Sequence, residues 1–303
     1  MYTIEAFYFP TQIILIDDDA GFLKILASKL SENFLVKTFN NPNDALAYLQ
    51  EKQSLQNIIN PNTLVDEELE FGERYLSLSK MNALAENKTK YEMATVIISD
   101  YIMPEMNGVE FFEKISNVPV MKILLTGNAD LDLALYAFNR GVVDKFLVKK
   151  SQKLLTEVEE SIIACQHGFF RKYSYPLLSS LSLPNDSMLN TNALSTQLEK
   201  IIQDYDIVEY YLIDNIGSYL LITKTGKHIY FMCMIERQFD EYLNIANNGG
   251  ASSDVIEKLK SKTHAPVFLA EGDYKLSAQA WENIVYRFDK KDGYYFCVLN
   301  QGI

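Results

Sequence analysis

The sequence predicts a doubly wound α/β domain on a five-stranded parallel sheet, followed by a small α+β domain. Three observations predict it. Five short strand-like segments, most of them apolar and β-branched, lie in the first half of the 303-residue chain: Ile13–Ile16, Val36–Phe39, Val96–Ser99, Lys122–Leu125 and Lys145–Val148. Such runs suit strands buried on both faces of a parallel sheet. Segments with helical spacing alternate with them, as a doubly wound sheet requires. From Val208 onward the order changes to hairpins, then helices, then further strands, which marks an α+β domain.

The elements follow in order. After Ile13–Ile16, the spacing of Phe22, Leu23, Leu26 and Leu30 predicts a helix. After Val36–Phe39, the segment Asn41-Pro42-Asn43-Asp44 caps a helix from Ala45 to about Gln53. Helices at Val109–Ile115 and Asp130–Asn139 separate the last three strands, and Gly141 follows the second of them, where a left-handed residue closes a helix. Residues 54–93 interrupt the rhythm. A connection of that length is too long for plain loop. The spacing of Leu69, Tyr75, Leu76, Leu78, Met81 and Leu84 predicts a helical insert on the sheet's edge.

Ser151 to about Phe170 reads as the fifth helix, with Leu155, Val158, Ile162, Cys165 and Phe169 at 3-4-3-4 spacing. That stripe is either the inner face of a helix packed on its own sheet or a short coiled-coil seam of a homodimer. Ser182–Thr196 is polar, with Pro184 and several Asn, and reads as linker. The expected organisation is therefore a first domain over 11–170, a linker with a short helix over 171–205, and an α+β domain over 206–303. In that last domain Val208–Ile213, Tyr219–Thr223 and His228–Met234 are strands, joined by turns at Asp214–Gly217 and Lys224–Lys227. Helices follow at Glu236–Ala246 and Ser253–Lys262, then strands at Val267–Ala270 and Tyr294–Leu299.

Charge narrows the partners. The net charge is −12, with 14 Lys+Arg against 21 Asp+Glu in residues 1–150, 4 against 6 in 151–205, and 10 against 13 in 206–303. No segment offers the positive face that non-specific nucleic-acid binding needs. Partners are expected to be proteins or small molecules, with no nucleic acid. Cys165, Cys233 and Cys297 are single and far apart, an arrangement suited to a reducing compartment. The N-terminus MYTIEAFYFP has no basic residue ahead of its apolar residues, so it is no signal peptide. No apolar run reaches the roughly 20 residues that span a bilayer. A cytoplasmic protein without membrane insertion is expected.

Chemistry gathers at the strand ends. Asp17-Asp18-Asp19 follows the first strand, Asp100 the third and Lys149 the fifth. In an open parallel sheet the carboxyl ends of the strands border the ligand crevice. Carboxylates brought that close repel one another unless a hard cation neutralises them, and an all-oxygen set suits Mg²⁺.

These segments, over residues 11 to about 165, resemble the receiver domain of two-component response regulators, a CheY-like, flavodoxin-like fold. ILIDDDAGF resembles the family's first strand with its acidic pair, which implies Asp17 and Asp18 in the metal site. IISDYIMPEMNG resembles the third strand and its loop, which implies Asp100 as phosphoryl acceptor, with Pro104 and Gly108 shaping the loop. By the same resemblance ILLTG implies Thr126 as the hydroxyl residue beside small Gly127, and GVVDKFLVKK implies Lys149 as the family's lysine and Phe146 as the aromatic switch position. The resemblance implies a bacterial phosphoprotein in a phosphorelay. Its Asp100 would take a phosphoryl group from a histidine kinase or phosphotransfer protein, with Mg²⁺ on Asp17, Asp18, Asp100 and the backbone carbonyl of Ile102. Beyond self-catalysed aspartyl phosphorylation and dephosphorylation, no enzyme activity is implied. The chain departs from the family in three ways: Lys150 replaces the usual proline after the lysine, residues 54–93 lengthen a connection, and Ile102 puts an apolar side chain on the route of an attacking water.

The second half is less explicit. It has no helix-turn-helix pattern and no basic recognition helix. Asn247-Asn248-Gly249-Gly250 reads as a flexible helix connection, and His167, His228 and His264 are isolated. Asp273-Tyr274-Lys275 has an acidic-x-Lys form but lacks a second placed acid, so a surface turn is the plainer reading. A crowd of aromatics, among them Tyr210, Tyr211, Tyr219, Trp281 and Tyr295, suits either a sheet core or an interface. The EYYLID-x-x-GSYLLI hairpin resembles C-terminal domains of bacterial response regulators, and that resemblance implies no activity. Three functions remain open: a regulator whose output binds a protein or small ligand, a regulator with an enzymatic output, and a phosphotransfer intermediate whose second half only dimerises.

Overall fold

The computed structural model describes residues 4–67, 72–127, 131–269, 275–291 and 293–300. The chain forms two compact units, and they interleave along the sequence. One takes residues 9–60 and 86–174; the other takes 1–8, 61–85 and 175–303. The expected division at 170 and 206 is contiguous, whereas these units exchange chain at residues 8, 60, 85 and 174.

In chain order the elements begin with β1 (Phe7–Tyr8), β2 (Gln12–Ile16), α1 (Ala20–Leu30), β3 (Leu35–Phe39) and α2 (Pro42–Glu51). The insert supplies β4 (Val65–Glu67), β5 (Arg74–Leu76) and α3 (Leu78–Glu86). Then come β6 (Ala94–Asp100), α4 (Gly108–Lys114), β7 (Met121–Thr126), α5 (Leu131–Asn139), β8 (Lys145–Val148) and α6 (Leu154–Ser180).

Strands β3-β2-β6-β7-β8 form one parallel sheet in that order, so the chain starts near the middle and winds both ways. Side chains alternate across the sheet with the period of two that strands impose. Ile13, Leu15, Val96, Ile98, Ile123 and Leu125 meet Leu23, Leu26 and Leu30 of α1 and Val158, Ile162 and Cys165 of α6 on one face. Ile14, Ile16, Ile97 and Leu124 meet α2, α4 and α5 through Ala45, Leu49, Phe111, Phe112, Ala134 and Ala137 on the other. This is the predicted doubly wound arrangement, with five helices on a parallel sheet.

Local chemistry sets the helix ends. Asn41 caps α2 by accepting from Asn43 N, and Pro42 occupies the first turn, so the helix begins three residues earlier than expected. Gly141 (φ 70°) closes α5, its N–H bonding Phe138 O while Val142 N bonds Ala137 O, a Schellman pair. The 3-4-3-4 stripe of α6 is the helix's inner face: Val158, Ile162, Cys165 and Phe169 are buried, and the first three lie in the sheet's own core. Leu155 alone is exposed. The helix also runs to Ser180, ten residues past the expected end.

The insert is only partly helical. Its β4 and β5 pair as an antiparallel hairpin before α3; Leu69 lies outside the described residues. This hairpin is tied to the C-terminal part of the same unit by Ser182, which bonds both Arg74 N and Arg74 O, and by Asn215. Asn215 Oδ1 accepts from Leu76 N (2.9 Å), and its amide donates to Arg74 O (3.2 Å) and Ser182 O (3.1 Å).

The second unit continues with α7 (Asn192–Asp204), β9 (Ile207–Leu212), β10 (Tyr219–Thr223), β11 (His228–Met234), α8 (Glu236–Asn248), α9 (Ser253–Lys260), β12 (His264–Pro266), β13 (Val285–Arg287), β14 (Asp289–Lys291) and β15 (Tyr294–Asn300). An antiparallel sheet runs β1-β9-β10-β11-β15-β14. The N-terminal strand closes one edge, pairing Phe7 with Tyr211 and Tyr8 with Tyr210. The aromatics fill the core: Tyr211, Tyr219, Phe231, Trp281 and Tyr295 are buried. Gly249, expected in a flexible connection, is instead held close, since a Cβ there would sit 2.7 Å from Ala278 Cβ.

Candidate functional site

The parallel sheet carries the acidic and basic residues to one edge. Asp17 follows β2, Asp100 ends β6, Thr126 ends β7 and Lys149 follows β8, and these four strands are neighbours. Register keeps the ends level, with Ile16 opposite Ser99, Asp100 opposite Leu125 and Thr126 opposite Val148.

Carboxylate oxygens of Asp17, Asp18 and Asp100 lie within 4.8 Å of one another. Asp17 and Asp100 are buried and Asp18 is exposed. The Lys149 ammonium stands 2.6 Å from Asp17 Oδ2 and 2.8 Å from Asp100 Oδ2. Asp17 Oδ2 is buried, and the Lys149 ammonium is its ion-pair partner. Asp17 Oδ1 accepts from Asp19 N, and Asp100 Oδ1 from Tyr101 N at 2.8 Å. Burial raises the Asp100 carboxyl above its usual range; the Lys149 ammonium pulls it back, and the nearby Asp17 charge pushes it up again. For Lys149, burial opposes the charge, but the two carboxylates outweigh it and raise its pKa.

The third acid of the triplet has a different task. Asp19 is the N-cap of α1, accepting from Gly21 N (2.9 Å) and Phe22 N (3.0 Å). Phe22, which the sequence offers only as a core position, places its ring 4.9 Å from Lys149 Nζ. The contact is invisible in the sequence because 126 positions separate the two residues.

Beyond Asp100 the loop closes tightly. Gly108 N donates to Tyr101 O (2.9 Å), and a Cβ on Gly108 would lie 2.2 Å from Asp100 O. Asn107 and Glu110 form a capping box at the start of α4. The Ile102 side chain is 63% exposed, out in solvent rather than folded onto the core. Thr126 is buried, its hydroxyl donating to Gly127 O at 3.1 Å, and Lys149 N donates to Thr126 O at 3.0 Å. Phe146 is half-buried, edge-on to Phe138 with centroids 6.2 Å apart. Among the described residues every peptide bond is trans, including that between Lys149 and Lys150.

The donor set fits a hard divalent cation: three carboxylates converge, all of them oxygen donors. Among the described residues no other group of acidic, His or Cys side chains converges in this way. Asp273 and Tyr274 lie outside the described residues. The three cysteines are buried and unpaired. No helix among the described residues is long and apolar enough to cross a membrane.

No protein-family model and no curated protein matches the sequence. Solved structures do. The response regulator LqsR of Legionella pneumophila overlays at 25% identity with a TM-score of 0.78, covering 100% of this chain and 91% of its own. A CheY-like receiver domain protein from Methanospirillum hungatei JF-1 overlays at 19% identity and a TM-score of 0.36, over 54% of this chain and 98% of its own. An adenylate cyclase from Rhodopirellula baltica overlays at 24% identity and a TM-score of 0.34, over 64% of this chain and 98% of its own. The overlay with LqsR runs through both units, so the likeness is not confined to the parallel sheet. The chain thus combines a receiver-like parallel-sheet fold with a further antiparallel-sheet unit, an arrangement similar to that of the response regulator LqsR.

Proposed function

We propose that this protein is a response regulator that accepts a phosphoryl group on Asp100 from a phosphohistidine of a kinase or phosphotransfer protein, in a Mg²⁺-dependent reaction. The observation that carries the reading is Lys149 between Asp17 and Asp100, with Asp18 and Thr126 at the same sheet edge. A carboxylate oxygen of Asp100 attacks phosphorus as the P–N bond to the donor imidazole breaks. The departing ring nitrogen keeps the electron pair. Asp17, Asp18, Asp100 and the Ile102 carbonyl would hold the cation. Mg²⁺, when bound, supplies the positive charge that lets a carboxylate meet a phosphoryl dianion.

The chain's own residues do the rest. Lys149 brings a point charge to one phosphoryl oxygen. Thr126, freed from Gly127 O, turns its hydroxyl to another. The space it leaves admits the Phe146 ring, so a charge change at Asp100 becomes a change of surface. The C-terminal domain then signals to a protein or a small ligand rather than to DNA, in line with a negative charge balance in every segment.

Incubation of the full chain with acetyl phosphate and Mg²⁺ tests the first step. Intact mass should rise by one phosphoryl group in the wild type, and should not rise in Asp100→Asn or in the presence of EDTA. Equal phosphorylation of Asp100→Asn would refute the assignment.

A further inference from the structure

We infer that Phe22 is a positioning residue for phosphoryl transfer: its ring holds the Lys149 ammonium between Asp17 and Asp100. The inference rests on the phospho-acceptor reading and assigns a part of that site to a residue on another element.

The geometry forms a closed circuit. Asp17 Oδ1 accepts from Asp19 N at 3.0 Å, and Asp19 Oδ1 in turn accepts from Gly21 N and Phe22 N. That cap fixes the first turn of α1, and with it the ring of its third residue. Lys149 Nζ lies 4.9 Å from the ring centroid, within the roughly 6 Å over which an aromatic face attracts a cation. The same ammonium reaches Asp17 Oδ2 at 2.6 Å and Asp100 Oδ2 at 2.8 Å, which returns the circuit to its start.

The role answers a physical need. A lysine stem has four rotatable bonds, and its ammonium must be found in one place when the donor arrives. The carboxylates attract it, but a cation on those acids competes for the same oxygens and loosens that hold. The ring keeps its attraction whatever occupies the carboxylates. It is also supported from below, since Phe22 packs against the core shared by α1 and α6. Any large apolar side chain would satisfy that packing; only an aromatic one also binds the cation.

Two measurements on the full chain test the inference. In protein with ¹³C-labelled lysine, the ε-methylene signal of Lys149, assigned by its loss in Lys149→Met, should be shifted upfield by the ring. Phe22→Leu should return it to the ordinary lysine position while Phe22→Tyr keeps it shifted. With acetyl phosphate and Mg²⁺, Phe22→Leu should slow phosphorylation about fivefold, the size of a partly exposed cation–π contact. Phe22→Tyr should retain the rate, and Phe22→Leu should change nothing once Lys149 is Met.

An unshifted lysine signal overturns the inference, as does equal slowing by Phe22→Leu in both backgrounds, which would mean packing alone. A shifted signal in a wild type that takes up no phosphate would leave the contact standing. It would remove the phospho-acceptor reading and, with it, the role of Phe22 in transfer.

Discussion

Asp17 and Asp100, 83 residues apart in sequence, share one ammonium: Lys149 Nζ lies 2.6 Å from the first and 2.8 Å from the second. Adjacent strands make this possible. β2 and β6 pair in parallel with Ile16 opposite Ser99, so the residue that follows each member of that pair, Asp17 and Asp100, comes to the same edge. Two carboxylates alone would repel at this range, and the lysine between them offsets that repulsion.

The loop behind Asp100 tolerates no side chain at 108. An added Cβ would meet Asp100 O at 2.2 Å and Leu124 Cδ1 at 2.7 Å, and the first contact is rigid backbone. Gly108→Ala is expected to cost about 1–3 kcal/mol, the range of an overpacked core. Urea denaturation read by circular dichroism measures it, and the same variant should phosphorylate more slowly because Asp100 itself must shift.

Ile102 presents an apolar, exposed side chain two residues past the acceptor. A polar group there could orient an attacking water; isoleucine cannot. The wild type should therefore hold its phosphoryl group for a long time. Ile102→Asn should shorten the half-life roughly tenfold, less than the 10²–10⁴ of full general-base catalysis. Decay of the phosphorylated mass after donor removal reads this out, and unchanged decay would dismiss the idea.

Asn215 serves three backbone groups of the hairpin and its neighbour, and is 8% exposed. Asn215→Ala leaves Leu76 N, Arg74 O and Ser182 O each short of that partner. Arg74 O keeps its bond from Ser182 N, so the main loss is the buried Leu76 N, and a cost of about 1–3 kcal/mol is expected. Hydrogen exchange should quicken first at residues 74–76. Protection unchanged there would show that the side chain does not hold the hairpin.

Much of this was legible in the sequence, for reasons that differ by residue. Runs such as Ile13–Ile16 and Val96–Ser99 announce strands because both faces of the sheet are covered, and their acidic or basic successors then fall at one edge. The α6 stripe was ambiguous because a sheet face and a partner helix ask for the same spacing; burial of Val158, Ile162 and Cys165 on the sheet decides for the first. The insert misled because β5 and α3 are short and adjacent, so Tyr75, Leu76 and Leu78 mimic one helical stripe across two elements. Pairing of residues 7–8 with β9, and docking of residues 61–85 with the C-terminal unit, depend on contacts over more than a hundred positions. No local pattern announces them. Asp19, the last of the acidic triplet, is a helix cap, a task the sequence does not separate from that of its two neighbours.

Borohydride reduction of the acetyl phosphate-treated chain, followed by peptide mass mapping, tests the central claim most directly, because it converts an aspartyl phosphate to homoserine in place. The account predicts homoserine at position 100 alone, formed with Mg²⁺ and absent with EDTA. An unaltered Asp100 beside a modified residue elsewhere, or no modified residue at all, would contradict it.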